Sequence, residues 1–196
     1  MLWEKLITAA AGLLNMNTKK GMMRDLTNEE NRIFSEVICA KGTQEQIVKH
    51  LEENNIFEAY RQIHAHYCEL AISENNLEAL KRALFLQWEA ATDQPHNTGL
   101  RNFNIGAQKK ILNKLNEIIT NGREDNELSW MLIHYYDITH SYFNDLSSSA
   151  AIKKYCEVKN DDLWHKGIPS IDSFKERGQM GFYWIGQILK IFHAFL

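Results

Sequence analysis

His134, Asp137 and His140 follow one another at intervals of three in the stretch NELSWMLIHYYDITHSYF, Asn126 to Phe143. Residues three apart are neighbours on a helix, so Asp137 can accept a hydrogen bond from either imidazole and fix its tautomer. The three can also act as ligands to a divalent transition metal, with Glu127 as an extra one. The two histidines stand about 120° apart around a helix axis, so one metal needs further ligands from a second helix. Asp-x-x-His occurs three times, as Asp93/His96, Asp137/His140 and Asp162/His165, more often than chance placement gives. Carboxylate-x-x-His is the ligand spacing of dimetal four-helix bundles, where the acid is Glu. The metal reading is a helical-bundle hydrolase or oxidase. The plainer reading is a polar stripe facing solvent, because Leu128, Met131, Leu132, Tyr135 and Ile138 fill the opposite arc. Trp130 and Ile133 stand among the polar residues, which points to a second, partly covered face.

Other chemistry has less support. There is no GxSxG elbow, no phosphate-binding glycine loop and no GxGxxG turn. Cys39, Cys68 and Cys156 lack a CxxC spacing and a sequence-adjacent histidine, and read as small apolar residues of a reducing, cytoplasmic protein. His64 and His66 diverge by about 200° and flank an apolar stripe as boundary residues. Two irregular segments, QWEAATDQPHNTGLRNFN and DLWHKGIPSIDSFKERGQMGFYW, gather aromatics and arginines, the types enriched at the energetic centres of interfaces. Trp88, Asp93, His96, Arg101, Trp164 and Arg177 are therefore the expected contacts to a protein partner. Against this stands a core position for Trp88 and Trp184.

The elements that position these residues are helices. Only two prolines occur, alternating β-branched runs are nearly absent, and Leu, Ala, Glu, Lys and Gln fill long stretches. TNEE at Thr27 and TQEQ at Thr43 have capping-box spacing and predict two helix starts, parted by Gly42. Ile56, Tyr60, Ile63, Tyr67 and Leu70 form one apolar stripe. From Leu77 the next helix is apolar on several sides, as a central helix must be. A further helix runs from about Ile105 to Thr120 and is closed by Asn121-Gly122. The whole reads as a single all-α domain over residues 1–196, a helical bundle or stacked helical hairpins of about seven to nine helices. Residues 1–25 read as a loosely attached N-terminal helix.

The formal net charge of −3 supplies no basic field, which excludes nucleic acid as a first choice of partner. Glu4 spoils a secretory leader. The terminal MGFYWIGQILKIFHAFL is short for a membrane span and amphipathic, with Ile185, Ile188, Leu189, Ile191, Phe192 and Phe195 on one arc. Core packing of that helix is expected ahead of membrane association through it. The expectation is a non-catalytic protein-binding module without a cofactor, of immunity or adaptor type, acting through loops and helix ends. A metal-dependent enzyme and a peripheral membrane protein are the alternatives.

Overall fold

In the computed structural model, helices start where a short polar side chain meets free amides. The Thr43 hydroxyl accepts from the Gln46 N–H, and the Gln46 side-chain carbonyl accepts from the Thr43 N–H at 2.9 Å, a complete capping box. Asn76, Asn104 and Asp125 each accept from the amide three residues on. The structure describes the backbone of residues 2–139, 142–143, 150–166 and 168–194, and the side chains of 21–139, 142–143, 150–158, 168–191 and 193. These residues form ten helices and no strand. The helices are α1 (Leu2–Cys39), α2 (Gln44–Glu53), α3 (Ile56–Ser73), α4 (Leu77–Thr92), α5 (Pro95–Thr98), α6 (Ile105–Thr120), α7 (Asn126–Ile138), α8 (Ala150–Lys166), α9 (Ile171–Phe174) and α10 (Gly178–Ala194).

Thr27 does not begin a helix. Its hydroxyl bonds back to the Met23 carbonyl at 2.8 Å, and α1 runs unbroken from Leu2 to Cys39. An amide that already has a carbonyl one turn upstream needs no cap, so the TNEE spacing goes unused. Residues 2–25, expected as a separate helix, are continuous with the rest of α1.

α4 is central: every residue from Ala79 to Trp88 is buried, and the helix packs on α3, α5, α6 and α10. Its aromatic side joins α7 and α10. Trp88 stacks on Tyr135 at 4.3 Å, and Trp130 lies 4.5 Å from Trp184. α6 ends in a Schellman arrangement, with Gly122 at φ 60°, its N–H on the Ile119 carbonyl and the Arg123 N–H on that of Ile118. The polar segment before α6 is less open than its composition implies. Pro95 starts α5, Leu100 and Phe103 turn into the core, and a Cβ on Gly99 would lie 2.5 Å from the Val37 side chain.

α1 and α10 run side by side in the same direction, since Glu30 meets Gln179 and Phe34 meets Phe182. The buried line of α10 is Met180, Trp184 and Ile188, so the helix is rotated from the expected arc and Leu189 faces out. Trp184 sets this rotation: the largest apolar side chain takes the deepest position. Among the described residues no helix is long and apolar enough to cross a membrane.

Candidate functional site

The expected polar stripe of α7 is broken by burial. His134 is only 7% exposed, and its Nε2 lies 2.6 Å from the Tyr183 hydroxyl of α10. Burial, reinforced by Lys190, holds its pKa down at about 4. The helix is buried on every side from Leu128 to Tyr136, because α8 and α10 cover it where solvent was expected. Asp137 is exposed in the last turn, and His140 lies outside the described residues. Glu127 sits at the other end of the helix, where Arg177 and Lys81 engage it. Among the described residues no group of three or more His, Cys, Asp or Glu is arranged to hold a metal ion.

One His–Cys approach escaped the sequence reading. His64 and Cys68, one turn apart on α3, are both buried, with the sulfur 3.7 Å from Nδ1 and 3.6 Å from Nε2. A sulfur equidistant from both nitrogens is not aimed at by either ring lone pair. Burial pushes the thiol up to about 12 and the imidazole down to about 4, so neither group is in the ionised form that a thiolate nucleophile needs. The spacing was visible in the sequence; the face-on contact was not.

Of the residues expected at a partner interface, two are interior. Trp88 is 1% exposed within the aromatic core. Arg177 is 9% exposed and inside an ion network. Neither offers a free surface. Asp93, His96 and Arg101 stay near the surface around α5. Asp93 accepts from the Gln94 amide and the Asn97 side chain, while Arg101 pairs with Glu52 at 2.6 Å and lies over the Phe57 ring. The Trp164 side chain is outside the described residues.

The ion network is the largest polar construction in the described interior. Glu30 of α1 accepts from the Tyr67 hydroxyl and the Gln179 N–H, both at 2.7 Å. Burial raises its carboxyl pKa against the pull of Arg82. Arg82 donates through Nε to Glu78, through Nη1 to Thr27 and Tyr67, and through Nη2 to the Glu176 carbonyl. Glu78 is shared with Arg177, which also grips Glu127 at 2.8 and 2.9 Å. Lys81 continues the chain to Glu127 and Asp125, both at 2.7 Å. Burial alone would raise the Glu127 carboxyl; the bonds from Arg177 and Lys81 outweigh it and hold the pKa below its usual value. Arg177 sits between two left-handed residues, Glu176 at φ 59° and Gly178 at φ 62°. A Cβ on Gly178 would lie 2.3 Å from the Glu30 carboxyl carbon, so that strap admits only glycine without rearrangement.

The network reaches solvent at Asp125 and at a cleft beside Arg82. The cleft of about 710 Å³ between α1 and α4 is bordered by Arg24, Asn28 and Asn31 on one side and by Glu78, Arg82 and Glu176 on the other. That volume falls in the range of ligand sites. Further along α1 the surface turns apolar. Phe182 of α10 is 64% exposed and packs edge-on against Phe34 at 5.3 Å; Ile38 is 58% exposed and Leu189 45%. Rigid helices thus present a polar cleft and an apolar ridge on the same side of α1. No protein-family model matches the chain, and neither a curated protein nor a solved structure is significantly similar to it.

Proposed function

We propose that this chain is a non-catalytic, helical protein-binding module of immunity or adaptor type, and that its partner lies along α1 and the adjoining edge of α10. The observation that carries the reading is Phe182, a large aromatic ring left 64% exposed on a helix whose opposite face is fully packed. Exposed aromatic anchors on a preformed surface are what protein interfaces use at their centres. Phe34 braces the ring, and Ile38 extends the apolar area. A lipid surface fits less well. The exposed charges of α1 and of the turn at α9 are of both signs, with Glu29 paired to Arg32 and Asp172 to Lys175, whereas interfacial helices carry a mostly basic polar face.

The test is affinity capture from extracts of the source cell, comparing the native chain with a Phe182→Ser/Ile38→Ser double variant. An Ile105→Ser variant, altered at an exposed position on α6, serves as control. The expected result is a partner recovered by the native and control chains and lost by the double variant, with circular dichroism unchanged in all three. Equal recovery by the double variant would overturn the reading.

A further inference from the structure

Arg24, Asn28, Asn31, Ser35 and Ile38 follow one another at alternate intervals of four and three, so they stand on one face of α1. The cleft and the apolar ridge are therefore two ends of one strip, about 21 Å long at the rise of an α-helix. We propose that the cleft is a carboxylate subsite: the partner is an amphipathic segment that seats an apolar side chain on the ridge and, about four turns away, an acidic group against Arg24 and Arg82. The proposal rests on the protein-binding reading above and adds the chemistry of the second contact.

Uncommitted donors outnumber uncommitted acceptors in the cleft: the N–H groups of Arg24, one of Arg82 and the amide NH2 groups of Asn28 and Asn31, against the two amide oxygens and the Glu176 carboxylate. Arg24 is exposed and forms no ion pair among the described residues. The side chains of Asn28 and Asn31 likewise have no hydrogen-bond partner among them. Arg82, 94% buried by its 6% side-chain exposure, uses four of its five N–H groups and leaves one Nη2 hydrogen at the cleft floor. The formal charges balance, Arg24 and Arg82 against Glu78 and Glu176, and the surplus is one of N–H donors. Glu78 is already held by two guanidinium groups, and only the Glu176 carboxylate stands opposite. A surplus of donors from two arginines and two amides calls for an acceptor-rich ligand, and the unpaired Arg24 guanidinium for an anionic one. A planar monoanion suits the guanidinium geometry. A phosphate dianion would bring a second charge up against Glu78 and Glu176.

The experiment is an NMR titration of the whole protein with three probes: N-acetylglutamate α-amide, N-acetylglutamine α-amide and inorganic phosphate. Backbone amides of residues 24–31 and the arginine Nε–H signals are followed. The acidic probe should shift these signals saturably. Arg24→Gln should weaken it about fivefold, the upper end for an exposed ion pair. Arg61→Gln, whose native guanidinium pairs with Glu58 elsewhere, should leave it unchanged. No saturation, equal shifts from the neutral amide, indifference to Arg24→Gln, or stronger binding of phosphate would each overturn the carboxylate subsite. If the subsite fails while the Phe182→Ser/Ile38→Ser variant still loses its partner, the protein-binding reading stands without it. If the acidic probe binds through Arg24 and that double variant keeps its partner, the site takes free carboxylates and the docking strip is refuted.

Discussion

Arg177→Ala removes the side chain that bridges Glu78 and Glu127, and leaves Glu78 to Arg82 and Glu127 to Lys81. Each acid keeps one cation, so the loss is that of the hydrogen bonds to charged groups, about 1.5–3 kcal/mol, and urea unfolding of this variant should show a loss of that order. A loss below about 1 kcal/mol, the range of exposed pairs, would mean that the network is largely solvated. The sequence already held a sign of this cluster. Lys81 and Arg82 interrupt LEALKRALFLQW, a helix otherwise apolar on all sides, and a charge inside such a helix has to be paired. Glu78, the acid paired with Arg82, stands one turn before it, but the acids paired with Lys81 were not legible, because Asp125 and Glu127 lie 44 and 46 residues away. His134 shows the reverse case. Its polar neighbours Glu127 and Asp137 pointed to solvent, and Trp130 and Ile133 on the same side pointed correctly to burial.

At the scale of helices, α3 and α7 each carry one buried imidazole, and these set the response to acid. His64 and His134 have folded pKa values near 4 against 6.5 in an open chain. The unfolded state therefore binds more protons between those values, and the stability present above pH 6.5 is lost as the pH falls towards 4. Each contributes on the order of 3 kcal/mol. Glu89 on α4 acts oppositely. Burial, with Asp93 nearby, pushes it up to about 7, so its contribution is full below 4.5 and is lost as the pH rises to 7. Glu30, also raised by burial, acts with Glu89, so the imidazoles are read from a variant: between pH 6.5 and 4 the melting temperature of His134→Phe should fall less than that of the native protein. A slope unchanged in the variant would show that His134 does not titrate with unfolding. α2, α4 and α6 were legible because a capping side chain and an apolar period agree at each; α3, which Asn55 opens without a side-chain cap bond, was legible from its apolar stripe alone. α1 was divided too early, since a capping-box spacing cannot report whether carbonyls upstream already serve the same amides. α10 was found but rotated, because a helix apolar over a wide arc leaves the depth of each side chain to its neighbours.

For the molecule as a whole, all-α class and a central α4 followed from composition and periodicity, and the side-by-side alignment of α1 with α10 did not. No local pattern records which distant helices become neighbours. That alignment places the surface strip, which is why residues on Trp88 and Arg177 were expected outside and Phe182 was not singled out. The same geometry has a consequence for biosynthesis. The Glu30 carboxylate, in the first sixth of the chain, waits for the Gln179 amide, and Glu78 and Glu127 wait for Arg177. A nascent chain emerging N-terminus first therefore lacks these interior pairings until the strap around Arg177 has left the ribosome. Chains stalled with residue 170 just outside the exit tunnel should be cut rapidly by protease, and chains stalled with residue 194 outside should resist. Resistance already at residue 170 would show that the helices settle without α10. Folding once α10 has emerged, rather than helix by helix before it, is what the strap between α9 and α10 imposes.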